Sequence, residues 1–228
     1  MEKLIKDFIT NFIVEERWQY LVRGLGITLV VTFFAVIIGV LLGFVVAMVR
    51  STYDNTGRLK VLNGVCNVYL TIIRGTPVVV QLLLIYFGIF YSVKVHKIVA
   101  AVVAFGFNSG AYQAEIFRSG INSIPRGQME AGRSLGFTYF ETMVRIIMPQ
   151  AIRNILPALA NEFIVLLKET SVAGYIALED LTRAGDIIRG RTYSIMPFFA
   201  IALIYLVLVM LLTYVEKIME RALMKHGK

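Results

Sequence analysis

The stretch GLGITLVVTFFAVIIGVLLGFVVAMV, residues 24–49, holds no charged side chain and decides the class of fold. At 1.5 Å per residue, a helix of this length exceeds the roughly 30 Å hydrocarbon core of a bilayer. Cleaved signal peptides have apolar regions of only about 7–15 residues, so this segment is expected to remain in the mature chain. Small residues recur along it at every fourth position, typical of close helix packing within the chain or at a subunit interface: Ala35, Gly39, Gly43 and Ala47. The sequence therefore predicts an integral membrane protein with a long first span.

Further apolar runs follow, and hydrophobic residues make up 57% of the 228-residue chain, against about 45–50% in soluble domains. The runs predict an all-α integral membrane fold with five transmembrane helices. The predicted spans cover about residues 24–49, 77–91, 98–117, 152–173 and 197–215. Residues 59–73 are predicted to form a helix at or entering the inner face, and residues 174–196 a polar loop.

Three polar or amphipathic segments flank the spans of the predicted transmembrane domain, residues 23–216. Residues 1–22 form an amphipathic segment at the interface, 118–150 a charged segment between the third and fourth spans, and 217–228 a basic tail. Lysines and arginines of the short loops favour the side that holds the last two segments as the cytoplasmic one. We therefore expect the N-terminus outside and the C-terminus in the cytoplasm.

Several function classes find no support in the sequence. Cys66 is the one cysteine, and the two histidines, His96 and His226, are far apart, so no metal or other cofactor is indicated. The net charge of +8 comes from residues in loops between apolar runs, which argues against nucleic-acid binding. Catalytic patterns such as H-E-x-x-H, G-x-S-x-G and Walker A are absent, which makes a membrane enzyme the weaker class. Transport of a small polar solute is the favoured function, driven by an ion gradient or by another subunit.

Polar residues cluster on the third and fourth predicted spans. Asn108, Tyr112 and Glu115 share one helical face in the third span, where Ser109 also lies. In the fourth, Asn161 and Glu162 are adjacent. Polar groups at membrane depth face a cavity or one another. These six residues are predicted to line a substrate cavity.

An alternative for the fourth span remains open. Lys168 lies in the same predicted span as Glu162 and Glu169, and the three residues could form structural ion pairs.

The charged segment carries the motif IPRGQMEAGRSLG at residues 124–136, followed by IIMP at residues 146–149. This pattern resembles the EAA motif of ABC importer permeases. Gly132 stands where the second Ala of the motif is usual, and Met148 where Leu is usual.

The resemblance covers the chain from about residue 20 onward. Three further motifs are similar to those of the polar amino acid permeases in this superfamily: residues 74–77 (RGTP) with Gln81, residues 111–116 (AYQAEI), and residues 156–162 (LPALANE).

The resemblance implies a type I ABC importer with two permease subunits, identical or related, two cytoplasmic ABC ATPase subunits and an external solute-binding protein. This chain would be one permease in a bacterial cytoplasmic (inner) membrane, would hydrolyse no ATP itself, and would carry an amino acid of basic, neutral or acidic kind. A helix over residues 127–140 is predicted to couple it to the ATPases. The coupling residues are Arg126, Gly127, Glu130, Ala131, Arg133 and Gly136. The alternative function is a gradient-driven transporter or channel without an ATPase.

Overall fold

The computed structural model describes residues 2–225, and every regular element in that range is helical. The all-α prediction is therefore confirmed. Residues 226–228 of the predicted basic tail lie outside the described range.

The first half of the described chain contains five helices. They are α1 Glu2–Phe8, α2 Trp18–Thr56, α3 Lys60–Gly75, α4 Val78–Leu83 and α5 Lys97–Asn122. Short turns of π-helix, Ile9–Ile13 and Leu84–Ile89, extend α1 and α4, and a 3₁₀ turn, Val14–Glu16, precedes α2.

The second half also contains five helices. They are α6 Arg126–Ser134, α7 Tyr139–Thr142, α8 Met148–Glu169, α9 Leu181–Thr192 and α10 Met196–Lys225. The π-helical turn Met143–Ile147 joins α7 to α8, and the 3₁₀ segment Thr170–Ile176 follows α8.

Two helices in the described range are long and apolar enough to cross a membrane, Trp18–Thr56 and Met196–Leu223. The pair Lys60–Gly75 and Val78–Ile89, bent by 110°, adds a third if it counts as one span. With 26 and 22 residues, α5 and α8 also have the length to cross, and the polar residues along them lower their hydropathy. The number of five spans stays a prediction.

The stripe of small residues on α2 packs within the chain, against α5. A Cβ atom added to Gly39 would lie 2.6 Å from Nε2 of Gln113, and one added to Gly43 would lie 2.8 Å from the backbone nitrogen of Ala114. These distances leave no room for a side chain, so the two helix backbones approach closely along this stripe.

The bend between α3 and α4 occurs at Thr76 and Pro77. Thr76 adopts an extended backbone conformation, as residues before proline usually do, and Pro77 precedes the first turn of α4. Because α3 turns away from α4 at this point, its last turn lies beside the middle of α5.

The segment predicted as a polar loop, residues 174–196, instead contains the helix α9. Asp180 caps its N-terminus by accepting hydrogen bonds from the backbone N–H groups of Thr182 and Arg183. Leu181, Ala184 and Ile188 form a buried apolar face, spaced as helix periodicity requires. Because polar residues lie between these positions, the segment has the composition of a loop, and its apolar face was not predicted.

Helix α6 is shorter than predicted. It ends at Ser134, and Gly136 follows in a left-handed conformation with φ of +88°. The N–H of Gly136 donates to the carbonyl of Arg133 at 3.1 Å, and that of Phe137 to the carbonyl of Gly132 at 3.2 Å. This pair of bonds is a Schellman motif, which terminates a helix. The predicted helix over residues 127–140 is therefore interrupted at Gly136, and α7 begins only after Thr138.

Candidate functional site

A cavity of about 430 Å³ lies between α3, α5 and α8. This volume is within the range of sites for small molecules. Its lining residues are Arg74, Tyr112, Glu115, Ile116, Ser119, Gly120, Ser123, Asn154, Ala158 and Glu162. The cavity thus brings one cationic and two anionic side chains together with hydroxyl and amide groups.

Glu162 is the most buried charged residue of the cavity, with 8% of its surface exposed. The hydroxyl of Ser109 donates a hydrogen bond to its Oε1 atom at 2.9 Å, and Nε2 of Gln113 donates to the Ser109 hydroxyl at 2.8 Å. Ser109 and Gln113 are fully buried on α5. This network fixes the orientation of the Glu162 carboxyl group, which lines the cavity.

Arg74 supplies the cation. Its Nη1 atom lies 3.8 Å from Oε2 of Glu115, and its guanidinium carbon lies 5.8 Å from the centre of the Tyr112 ring. Arg74 belongs to the RGTP motif and is not one of the six residues predicted from the sequence to line the cavity. The sequence could have indicated its role, because Arg74 is the one charged residue between Lys60 and Lys94.

Asn108 has a different environment from its predicted one. Its Nδ2 atom donates to Oε1 of Gln81 at 2.9 Å, and Gln81 in turn donates to the carbonyls of Ile73 and Thr76. Asn108 therefore anchors the bend between α3 and α4 to α5, and it does not line the cavity.

The six predicted cavity residues thus divide into three groups. Tyr112, Glu115 and Glu162 line the cavity, while Ser109 and Asn108 stand behind it as supports. Asn161 is exposed on α8 and is not among the lining residues.

The structural ion pairs considered for the fourth span are not formed in the described part of the chain. Lys168 is exposed on α8, and no pair within 4 Å joins it to Glu162 or Glu169.

The predicted coupling residues lie together on the surface of α6 and the turn after it. All six are exposed: Arg126, Gly127, Glu130, Ala131, Arg133 and Gly136. The opposite face of α6 packs on α7, where Gly132 is buried against Thr142. Two large apolar side chains next to this surface, Leu135 and Phe140, are 77% and 70% exposed.

A capping box fixes the start of α7 behind this surface. The backbone N–H and hydroxyl of Thr138 donate to Oε2 of Glu141, both at 2.8 Å. These hydrogen bonds lower the pKa of Glu141 below its ordinary value.

A second cavity, of about 690 Å³, lies between α6 and the adjoining ends of α2 and α5. Asp54, Arg126 and Glu130 are its charged lining residues. Two of the predicted coupling residues, Arg126 and Glu130, thus border this cavity.

An all-helical bundle with a charged cavity and an exposed EAA-type helix defines the class of membrane permeases found in type I ABC importers. The chain belongs to the family described as binding-protein-dependent transport system inner membrane component, which matches residues 39–225. It is a permease component of an amino acid ABC transporter, and the family resemblance predicted from the sequence is confirmed.

Two relatives and one solved structure illustrate the similarity. The arginine transport system permease protein ArtQ of Bacillus subtilis is 38% identical over 208 residues, covering 90% of this chain and 92% of ArtQ. The L-cystine transport system permease protein TcyB of the same organism is 35% identical over 220 residues, covering 95% and 92%. A crystal structure of an amino acid ABC transporter with histidines matches with a TM-score of 0.84 and 42% identity, covering 92% of this chain and 98% of that one.

Proposed function

We propose that this chain is the membrane-spanning subunit of an ATP-driven importer that carries a polar amino acid across a bacterial cytoplasmic membrane. The observation that carries the proposal is the presence of Arg74 and Glu162 in one cavity that is large enough for an amino acid.

The cavity offers a partner for each charge of an amino acid. An α-carboxylate entering a low-dielectric site needs a cation, and Arg74 supplies one with donors in a planar fork. An α-ammonium group needs an anion, and Glu162 supplies one that Ser109 orients. Relatives named as arginine and L-cystine transport permeases are 38% and 35% identical to this chain, which is consistent with recognition of the groups common to all amino acids.

Two exposed surfaces support the proposed partner subunits. The surface of α6, with Glu130 and Arg133, supports docking to a cytoplasmic ABC ATPase, because a short backed helix can insert into a partner's groove. Asn161 and Lys168 are exposed on one face of α8 at a spacing of seven residues, and polar groups at membrane depth do not favour lipid. This face supports contact with a second permease. An external solute-binding protein completes the proposed complex.

The proposed function is tested by substituting Glu162 in the reconstituted complex. With ATPase subunits and binding protein present, Glu162→Gln is expected to reduce ATP-driven uptake of radiolabelled amino acids by about tenfold or more. The reason is that the α-ammonium group of the substrate would lose its anionic partner in the cavity. Uptake into proteoliposomes, measured with histidine, arginine, glutamine and cystine as probes, gives the result.

Glu169→Gln is the matched control, since Glu169 lies on the same helix and does not line the cavity. Equal uptake by the Glu162→Gln variant and the wild type would place the substrate elsewhere. Uptake by the permease alone, driven by an ion gradient without ATP, would favour the gradient-driven alternative.

A further inference from the structure

Four charged side chains form a continuous chain of ion pairs that begins in the cavity and ends at Asp54, near the end of α2. Arg74 on α3 pairs with Oε2 of Glu115 at 3.8 Å, and Arg118 on the same helix as Glu115 pairs with Oε1 at 2.9 Å. Arg118 also lies 3.9 Å from Oδ2 of Asp54, near the end of α2. We call these four residues the inner ion-pair chain. It joins three helices that have no other ion pair between them in the described range.

The two ends of the inner ion-pair chain lie in different cavities. Arg74 and Glu115 line the 430 Å³ cavity, whereas Asp54 lines the 690 Å³ cavity together with Arg126 and Glu130 of α6. The chain therefore runs from the proposed substrate site to the cavity that α6 borders with Arg126 and Glu130.

Glu115 is committed to its own neighbours and is a poor partner for a substrate ammonium group. Each of its two carboxylate oxygens faces a different arginine. The sequence prediction placed Glu115 among the cavity residues, and the geometry gives it the task of holding Arg74.

The contacts within the chain are unequal. The Arg118–Glu115 pair is a hydrogen bond of 2.9 Å, while Arg74 and Glu115 are 3.8 Å apart and the Arg74 side chain is 45% exposed. The two end members, Arg74 and Asp54, are thus held more loosely than the central pair, and of these Arg74 is the one that lines the proposed substrate site. A carboxylate arriving in the cavity presents the same charge and the same planar geometry as Glu115.

We propose that the inner ion-pair chain transmits occupancy of the cavity to α6: a substrate carboxylate replaces Glu115 on Arg74, and the change is carried through Arg118 to Asp54. Glu115, Arg118 and Asp54 are positioning residues in this scheme, and only Arg74 touches the substrate. The inference rests on the proposed function, because it requires an amino acid in the cavity.

Asp54→Asn tests the inference at the end of the chain farthest from the cavity. The complete complex in proteoliposomes is assayed for basal ATPase activity and for activity with saturating substrate-loaded binding protein. The ratio of stimulated to basal activity is expected to fall by about fivefold or more, with the KM for uptake changed by less than about twofold. Asp54→Glu keeps the charge and is expected to restore the ratio.

Asp186→Asn serves as the control, because Asp186 also pairs with arginines, Arg183 and Arg189, on a helix away from the chain. A normal ratio of stimulated to basal ATPase activity in Asp54→Asn overturns the inference. A parallel fall in both activities with the ratio preserved also overturns it, because that is the result expected of a purely structural role. Neither outcome affects the Glu162→Gln test, so failure of this inference and failure of the proposed function are distinguishable.

Discussion

Gly136 is a single residue on which the shape of the coupling surface depends. Its φ of +88° lies in the left-handed region, where an L-residue with a side chain is strained by roughly 1 kcal/mol or more. Gly136→Ala is therefore expected to loosen the turn between α6 and α7 and to lower ATP-driven uptake, while the amount of inserted permease is unchanged. Uptake normalised to permease content by immunoblot measures the effect.

Gly57 provides the control for this substitution. It also ends a helix with a positive φ, +68°, and an added Cβ meets nothing within 4 Å at either glycine. Gly57→Ala introduces the same kind of backbone strain at the end of α2, outside α6 and the turn that follows it, and is expected to leave uptake normal. The prediction is wrong if the two variants behave alike.

Asp180 predicts a dependence of stability on pH. It is 1% exposed between α8 and α9, no arginine or lysine pairs with it in the described range, and burial raises its pKa from 3.8 to about 6. Because the folded protein favours the protonated acid, the contribution of Asp180 to stability falls as pH rises from about 4 to about 6 and is constant above. Asp180→Asn retains the capping oxygen without the charge.

Thermal unfolding of the purified complex in detergent checks this sign. The Asp180→Asn variant is expected to melt above the wild type at about pH 7, with the difference vanishing near pH 4. The other titrating carboxylates are the same in both proteins, so their contributions cancel in the difference between the two melting temperatures. A difference independent of pH would show that the charge of Asp180 is not the cause.

Single residues also show what sequence alone can predict about a site. Tyr112 and Glu162 are polar residues inside apolar runs, so their lining of a cavity follows from the cost of polar groups in lipid. Asn108 avoids lipid in another way, because it donates a hydrogen bond to Gln81 of another helix and does not line the cavity. Asn108 and Gln81 are 27 residues apart along the chain, so the local spacing of polar residues does not specify whether such a residue lines a cavity or bonds another helix.

At the scale of elements, α6 and α7 are held together by a contact between backbone and side chain. A Cβ atom on Gly132 would lie 2.5 Å from the Cγ2 methyl of Thr142. Gly132→Ala is expected to destabilise this pair of helices by about 1–3 kcal/mol, because the core between them has no space for a methyl group. ATP-driven uptake and coprecipitation of the ATPase are both expected to fall.

Thr142→Ser removes the clashing methyl group and should restore part of the loss in the double variant. Gly127→Ala is the matched control on the same helix, since nothing lies within 4 Å of its added Cβ. If Gly132→Ala and Gly127→Ala both retain full coprecipitation, the packing of α6 on α7 does not set the position of the coupling surface. The result bears on a motif position where this chain has glycine and the related motif usually has alanine.

The sequence predicted best those helices that consist of a long, uniformly apolar run. Residues 24–49 fall within α2, because an uncharged run of that length has few alternatives in a bilayer. Helix α9 escaped prediction because its stability depends on tertiary burial: its three buried apolar residues alternate with arginines and an aspartate. The interruption of α6 at Gly136 depends on backbone hydrogen bonds, which composition does not reveal.

At the scale of the whole molecule, the two ends of α2 define the two faces of the bundle. Its beginning lies against α9, where a Cβ on Gly24 would come within 2.8 Å of the Asp180 carbonyl oxygen. Its end lies near Arg118 at the α6 side, through Asp54. A measurement that places one end of α2 relative to the membrane therefore orients α6, α9 and the cavity together.

The lone cysteine makes this measurement direct. In a Cys66→Ala background, single cysteines are introduced at Glu179 and Thr56, which are exposed before α9 and at the end of α2. Lysines and arginines concentrate on the α6 side, so that side is expected to be cytoplasmic. A membrane-impermeant maleimide should label Glu179→Cys in intact cells and Thr56→Cys only after permeabilisation. The reverse pattern would invert the bundle and place α6 outside, where no ATPase could reach it, and it would overturn both the predicted orientation and the proposed coupling role of the EAA-type helix.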